Sequence, residues 1–208
     1  MHLGDPDSWH GAIVDAYQGP PGGTAKLFVI TAPDGSLHSY THPLDPGELL
    51  NNSFVTVSPD GHWMVSGEFG IANRLLVLPM PGVNPARSAA DGTLQRFGNI
   101  ALDHQVSDVQ GCDFVTANRL LCATDDPGTA LWPTDRQLLQ VDLPAPLTGR
   151  ATTGHVSDLG PLPQQSVCRG MFETEGIDYD TRAGVLRVEV VPPAPCDGVT
   201  TVYEYRSS

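Results

Sequence analysis

Lysine is almost missing from this chain. Lys26 stands alone among 11 basic residues, against 24 acidic ones, and the formal net charge is −13. A surface this poor in cations does not track a phosphate backbone, which excludes nucleic acid as the natural partner. No run of 18 apolar residues occurs, so no transmembrane helix is encoded. The motifs that announce common chemistries are absent too: no GxSxG elbow, no HExxH, no phosphate-binding glycine loop and no dinucleotide fingerprint. A serine nucleophile and a zincin site therefore have no support. The four cysteines form no CxxC knuckle, which removes a zinc ribbon. The apolar residues follow no helical period.

What the chain does have is a repeated meander. Residues 52–79 read as strand, tight turn, strand, loop, strand. Phe54, Val55 and Val57 are β-branched or aromatic. Ser58-Pro59-Asp60-Gly61 supplies a turn: proline presets φ, Asp bonds its local backbone and Gly accepts φ > 0. Trp63-Met64-Val65 begins the return strand, and residues 74–78 form a third, almost wholly apolar strand, as expected where both faces are covered. The pattern recurs at 111–142 and 175–205, and its second and third strands recur at 11–31. Third strands start near 26, 74, 137 and 200. Residues 36–41, 93–100 and 154–159 are placed to be fourth, outer strands.

Four-stranded antiparallel units at this loose spacing are the signature of a β-propeller. The Ser58-Pro59-Asp60-Gly61 turn between first and second strands resembles that of YVTN, lactonase-like and WD40-like propellers, although no WD dipeptide is present. The expected fold is an all-β propeller of about four blades, with a fifth a tight fit, in a single domain spanning residues 1–208. A β-sandwich of similar meanders is the alternative. The first unit lacks an obvious inner strand and the last an outer one. Closure would take the outer strand from the first ten residues, or the missing strands would come from a second chain or a homo-oligomer.

Cys112 and Cys122 fall opposite each other on one hairpin, a spacing that permits a bridge. Cys168 and Cys196 flank the first two strands of the last unit at one end, so they too can pair. Two disulfides imply an oxidising compartment. MHLGDPDSWH has no apolar core of a signal peptide, so the expectation is a secreted chain whose leader is not in this sequence. Low Lys with abundant Ala, Gly, Pro and Arg matches a GC-rich bacterial genome.

In a propeller, the loops after second strands and those entering first strands gather around the channel mouth. Aligned units put Glu68, Asp125 and Asp126 there, with Asn52, Gln110, Arg169, Glu173 and Glu175. Convergent carboxylates must take up a proton, bind a cation or pair with an arginine. The first outcome gives a general acid or base, for which Glu68, Glu173 and Glu175 are the candidates. Carboxylates and amides such as Asn52, Gln110, Asp125 and Asp126 can also hold a small ligand or calcium, as the resemblance to lactonase-type propellers implies. Trp132, in a long loop, is a candidate platform for a sugar. His2, Asp5, Asp7 and His10 offer hard ligands in a turn-rich segment, but without an EF-hand pattern they read as a solvated terminal loop. The functional expectation is an extracytoplasmic propeller binding a small molecule, glycan or divalent cation at an acidic mouth. The alternatives are a carboxylate- or calcium-dependent hydrolase, lactonase or lyase, and a protein-interaction platform.

Overall fold

The computed structural model describes residues 3–51, 53–83 and 92–206. Four antiparallel units follow one another along the chain. Unit 1 comprises β1 (Asp7–Trp9), β2 (Ala12–Tyr17), β3 (Ala25–Thr31) and β4 (Leu37–Pro43). Unit 2 comprises β5 (Val55–Val57), β6 (Trp63–Ser66), β7 (Ala72–Pro79) and β8 (Gly98–Val106). Unit 3 comprises β9 (Val109–Thr116), β10 (Arg119–Thr124), β11 (Gln137–Asp142) and β12 (Thr152–Pro161). Unit 4 has three strands, β13 (Glu173–Asp180), β14 (Val185–Val191) and β15 (Thr201–Arg206). The chain has an all-β, propeller-type fold. The first strands β1, β5, β9 and β13 lie side by side in that order.

Each unit joins the next through its own apolar core. β7 shows how one strand feeds two of them. Leu75 and Val77 point into the core between units 2 and 3, and Leu76 and Leu78 into the core between units 1 and 2. A strand covered on both faces has no reason to alternate, which accounts for its unbroken apolar run. A third core joins units 3 and 4 around Leu186, Val188 and Ile177. The turn in unit 2 forms as its residues dictate: Gly61 sits at φ 71°, Gly61 N donates to Ser58 O, and Ser58 Oγ lies 2.6 Å from Asp60 Oδ1.

Two features depart from the sequence expectation. The first ten residues do not complete the last unit. They supply β1, the inner strand of unit 1, pairing with β2 and reaching β5 through a parallel bridge from Asp5 to Phe54. Units 2 and 3 are also joined at their outer edges, where β8 and β12 pair in parallel from Thr152 opposite Ile100 to Gly154 opposite Leu102. This merges eight strands into one sheet. Both expected disulfides are present. Cys112 and Cys122 are directly opposed across β9 and β10, and Cys168 joins Cys196 across the end of unit 4. Among the described residues no helix is long and apolar enough to cross a membrane.

Candidate functional site: an acidic joint between the last unit and the first

The four inner strands are stitched together by carboxylates. Asp7 Oδ2 accepts a hydrogen bond from Val57 N at 2.6 Å, linking β1 to β5. Thr56 Oγ1 lies 3.1 Å from Asp7 Oδ2 and 3.3 Å from Asp113 Oδ1, linking β5 to β9. Asp113 Oδ2 accepts from Tyr179 N at 2.6 Å, linking β9 to β13. Asp5 Oδ2 accepts from Ile177 N at 3.1 Å and brings β13 back to the β1 side. The Asp5 carboxylate gets there because Gly111 and Gly176 have no side chain; a Cβ on either would overlap it. That is the close backbone approach for which an isolated strand glycine is suited.

This last joint differs from the others. The joints between units 1 and 2, 2 and 3, and 3 and 4 hold apolar cores. Between units 4 and 1 there are instead two polar clefts, one lined by Asp5 and the other by Asp7. The first, of about 310 Å3, is lined by Asp5, Ser53, Gln110, Glu175 and Glu189, with Leu3 and Val191 among the apolar contributors. No Lys, Arg or His lines it among the described residues. The second, of about 450 Å3, holds Asp7, Asp113, His10 and Asp178, together with Arg182 and Arg187.

Electrostatics in the first cleft follow from burial without cations. Glu175 is half-buried, and burial together with repulsion from Glu173, Glu189 and Asp125 pushes its carboxyl up to about 7. Burial also raises Asp5 well above the usual carboxylate range, despite its bond from Ile177 N, with Asp113 and Asp7 adding repulsion. In the second cleft Asp113 is pushed up to about 7, by burial first and Asp7 second. A cleft wall in this state can exchange a proton near neutrality or take a cation in its place. Ser53 adds a hydroxyl. It is 3% exposed, and its Oγ has no hydrogen-bond partner among the described residues.

The residues expected at one mouth are divided among several places. Glu175 and Gln110 meet in the first cleft. Glu173 is exposed beside it, close enough to repel Glu175. Glu68 lies elsewhere, in a cleft with Leu49 and Arg74, where it accepts from Arg74 Nε at 2.8 Å and from Leu49 N at 2.7 Å. Asp125 accepts from Arg136 Nε and from Thr174 N, both at 3.0 Å, and Asp126 Oδ1 accepts from Gly128 N. Arg169 is exposed ahead of β13. Trp132 is not an exposed platform: it is 9% exposed, belongs to the core between units 2 and 3 and packs on His104 at 4.2 Å between ring centroids. The loop carrying it folds inward, so the aromatic is used as packing. Asn52, His2 and the helical turn expected at 85–90 lie outside the described residues.

Asp5, Asp7, Asp113, Glu189 and Ser53 are the residues that strand alignment missed. Asp5 and Asp7 are half-buried parts of the joint and not a solvated loop. The legible signal was Gly111 and Gly176, isolated glycines inside strand patterns. Glu189 was legible as one of the two polar positions, with Arg187, in Val-Leu-Arg-Val-Glu-Val-Val.

A separate group, His42, Asp45 and Glu48, brings its potential ligand atoms within 4.8 Å of one another. Its charges are already matched. Lys26 Nζ, fully buried, lies 3.0 Å from Glu48 Oε1, and His42 Nε2 is 3.1 Å from both Glu48 oxygens. His42 Nδ1 faces Leu94 O at 2.9 Å, and Asp45 takes Arg96 at 2.7 Å. A metal ion here would have to displace the Lys26 ammonium, so this donor set does not fit one.

No protein-family profile matches the chain. No curated protein matches it either. Solved structures do resemble it. A proposed 6-phosphogluconolactonase from Bacteroides uniformis aligns over 95% of this chain and 54% of its own, at TM-score 0.47 and 10% identity. An auxiliary nutrient binding protein from Bacteroides thetaiotaomicron aligns over 91% and 42%, at TM-score 0.43 and 9% identity. The periplasmic gluconolactonase of Pseudomonas aeruginosa aligns over 98% and 72%, at TM-score 0.42 and 11% identity. The chain thus spans about half the length of the first two.

Proposed function

We propose that this chain is an extracytoplasmic binding protein that takes a small cationic or polyhydroxylated molecule, or a divalent cation, in the first acidic cleft. The carrying observation is the composition of that joint. Where three other joints are filled by apolar side chains, this one presents Asp5, Glu175 and Glu189 with the Gln110 amide and Ser53 hydroxyl, and no cation. Clefts between packed units with a few convergent polar groups are where small ligands bind. Hard oxygen donors suit calcium, and hydroxyl-rich ligands can donate to the carboxylates. The two disulfides support an oxidising compartment.

The test is a thermal melt with calcium, with chelator and with a panel of sugars and polyamines. A ligand that binds the folded state raises the midpoint by mass action. Wild type should shift and the Glu175→Gln/Glu189→Gln variant should not. Equal shifts in both proteins would remove the cleft from consideration.

A hydrolase or lactonase reading is favoured by one further observation: Glu175 titrates near neutrality, where a general base is most effective. Turnover of lactones or esters that disappears in Glu175→Gln, while ligand-induced melting shifts persist, would support it. Absence of turnover across such a panel would leave binding as the activity.

A further inference from the structure

The first cleft is built from two kinds of polar group, and they come from different units. Glu175 and Glu189 belong to unit 4, on β13 and β14. Ser53, just ahead of β5, and Gln110, on β9, belong to units 2 and 3. One contribution is negative charge and the other is neutral hydrogen-bonding capacity.

The two glutamates are brought together by a bulge. Thr174 pairs with Val190 and Ile177 with Val188, so Glu175 and Gly176 together stand against Glu189. Two residues facing one is the count of a β-bulge, which re-aims side chains beside sites. Like charges set against each other weaken a sheet. Glu189 repels Glu175 here, and no cation lines the cleft among the described residues to offset it.

The spacing of the acids separates two kinds of counter-charge. Calcium holds its oxygens at about 2.4 Å, so any two of them stand within about 5 Å of each other. Asp5, Glu175 and Glu189 do not gather that closely. Among the described residues the group of three that does is His42, Asp45 and Glu48. Asp5 Oδ2 is moreover already bonded by Ile177 N. The space, about 310 Å3, matches a pocket for a small organic molecule.

Ser53 supplies the second requirement. It lines the cleft and is 3% exposed, and its Oγ has no hydrogen-bond partner among the described residues. A buried hydroxyl left unbonded costs stability, so its retention calls for a reason. Rotation about its one side-chain torsion can redirect it to a ligand.

We infer, resting on the reading of this cleft as a binding site, that its ligand is a hydroxylated organic ammonium, an amino sugar or amino polyol. The ammonium sits at Glu175 and Glu189 and supplies the missing counter-charge. The hydroxyls bond Ser53 and the Gln110 amide.

The experiment is isothermal titration calorimetry on the intact chain at neutral pH, with glucosamine, galactosamine, mannosamine and the linear amino polyol glucamine. Their N-acetyl counterparts keep the hydroxyls and lose the charge. Cyclohexylamine keeps the charge and lacks the hydroxyls. At least one amine should bind, with both kinds of control about tenfold weaker or more. Ser53→Ala should weaken that amine about fivefold and melt no lower than wild type, because the hydroxyl it loses is unbonded in the free protein. Glu175→Gln/Glu189→Gln should abolish binding. N-acetyl sugars or calcium that bind wild type but not the double variant would overturn the inference and keep the cleft as a site. Cyclohexylamine binding as well as the amino sugar, or Ser53→Ala binding as well as wild type, would overturn it too. Amine binding undiminished in the double variant, or no binding of any of these compounds or of calcium, would overturn both the inference and the reading beneath it.

Discussion

Two groups of buried carboxylates in this protein are handled in opposite ways. In units 1 and 2, acids are matched. Burial by itself would raise Glu48, but His42 and Lys26 outweigh it and hold its carboxyl down at about 2, and Glu68 is clasped by Arg74. In the first cleft between units 4 and 1, burial meets no cation among the described residues, and Glu175 is pushed up to about 7. The first arrangement stabilises the fold and is closed to ligands. The second holds strands together with backbone N–H groups and the Thr56 hydroxyl and leaves negative charge facing a cleft. The difference indicates that acidity alone does not mark a site. What marks it is an acid whose partner is missing.

The comparison can be broken most forcefully at Lys26. Replacing it with Met strands a buried Glu48, and breaking such a pair costs about 3–5 kcal/mol. Calorimetry should show this loss for Lys26→Met, with most of it recovered in Lys26→Met/Glu48→Gln. A silent single variant would mean that Lys26 does not hold Glu48. Next in size is Gly176→Ala, which forces a methyl against the Asp5 carboxylate. Overpacking of this kind costs about 1–3 kcal/mol. Because the strain exists through Asp5, Gly176→Ala and Asp5→Ala should be non-additive in a double-mutant cycle. Additive losses would show that Asp5 is not seated between the glycines.

pH sharpens the same comparison. Glu48 is depressed, so its contribution is present above the ordinary carboxylate value of about 4.3 and is lost as pH falls toward 2. Glu175 is raised, so its contribution is present below that value and is lost as pH rises through about 7. The two limbs meet near the ordinary value. The melting temperature should therefore peak at about pH 4–5. Glu175→Gln should flatten the neutral limb and Glu48→Gln the acid limb; a profile unchanged by Glu175→Gln would exclude its raised titration. The smallest expected effect is at Arg187, whose pairs with Asp178 and Glu204 are exposed. Arg187→Gln should leave the melt unchanged, since exposed ion pairs contribute little.

Much of the strand order was legible. The third strands begin within about two residues of their expected positions, because apolar runs bounded by turn residues carry that signal locally. The Cys112–Cys122 bridge followed from hairpin geometry. The site was less legible, since its residues are recruited across distance. β1 is three residues long in an Asp- and Pro-containing segment, fixed by the bond of Asp7 to β5 and, just ahead of the strand, of Asp5 to β13, and not by propensity. Glu68 looked free because Arg74, six residues on, reads as the start of an apolar strand. Lys26, in Ala-Lys-Leu-Phe-Val-Ile-Thr, reads as a polar outward position, yet its face is the buried one.

The parallel seam between β8 and β12 has a consequence for how the molecule comes apart. Units 2 and 3 share a core, a disulfide-bearing wall and a hydrogen-bonded edge, so neither can peel from the other without breaking both. Units 1 and 4 are each attached by one core and, to each other, by the Asp5 joint. Opening should therefore be graded. The eight-stranded middle should be the last region to exchange its amides, and the acidic joint, the seam the fold can most readily part, the first.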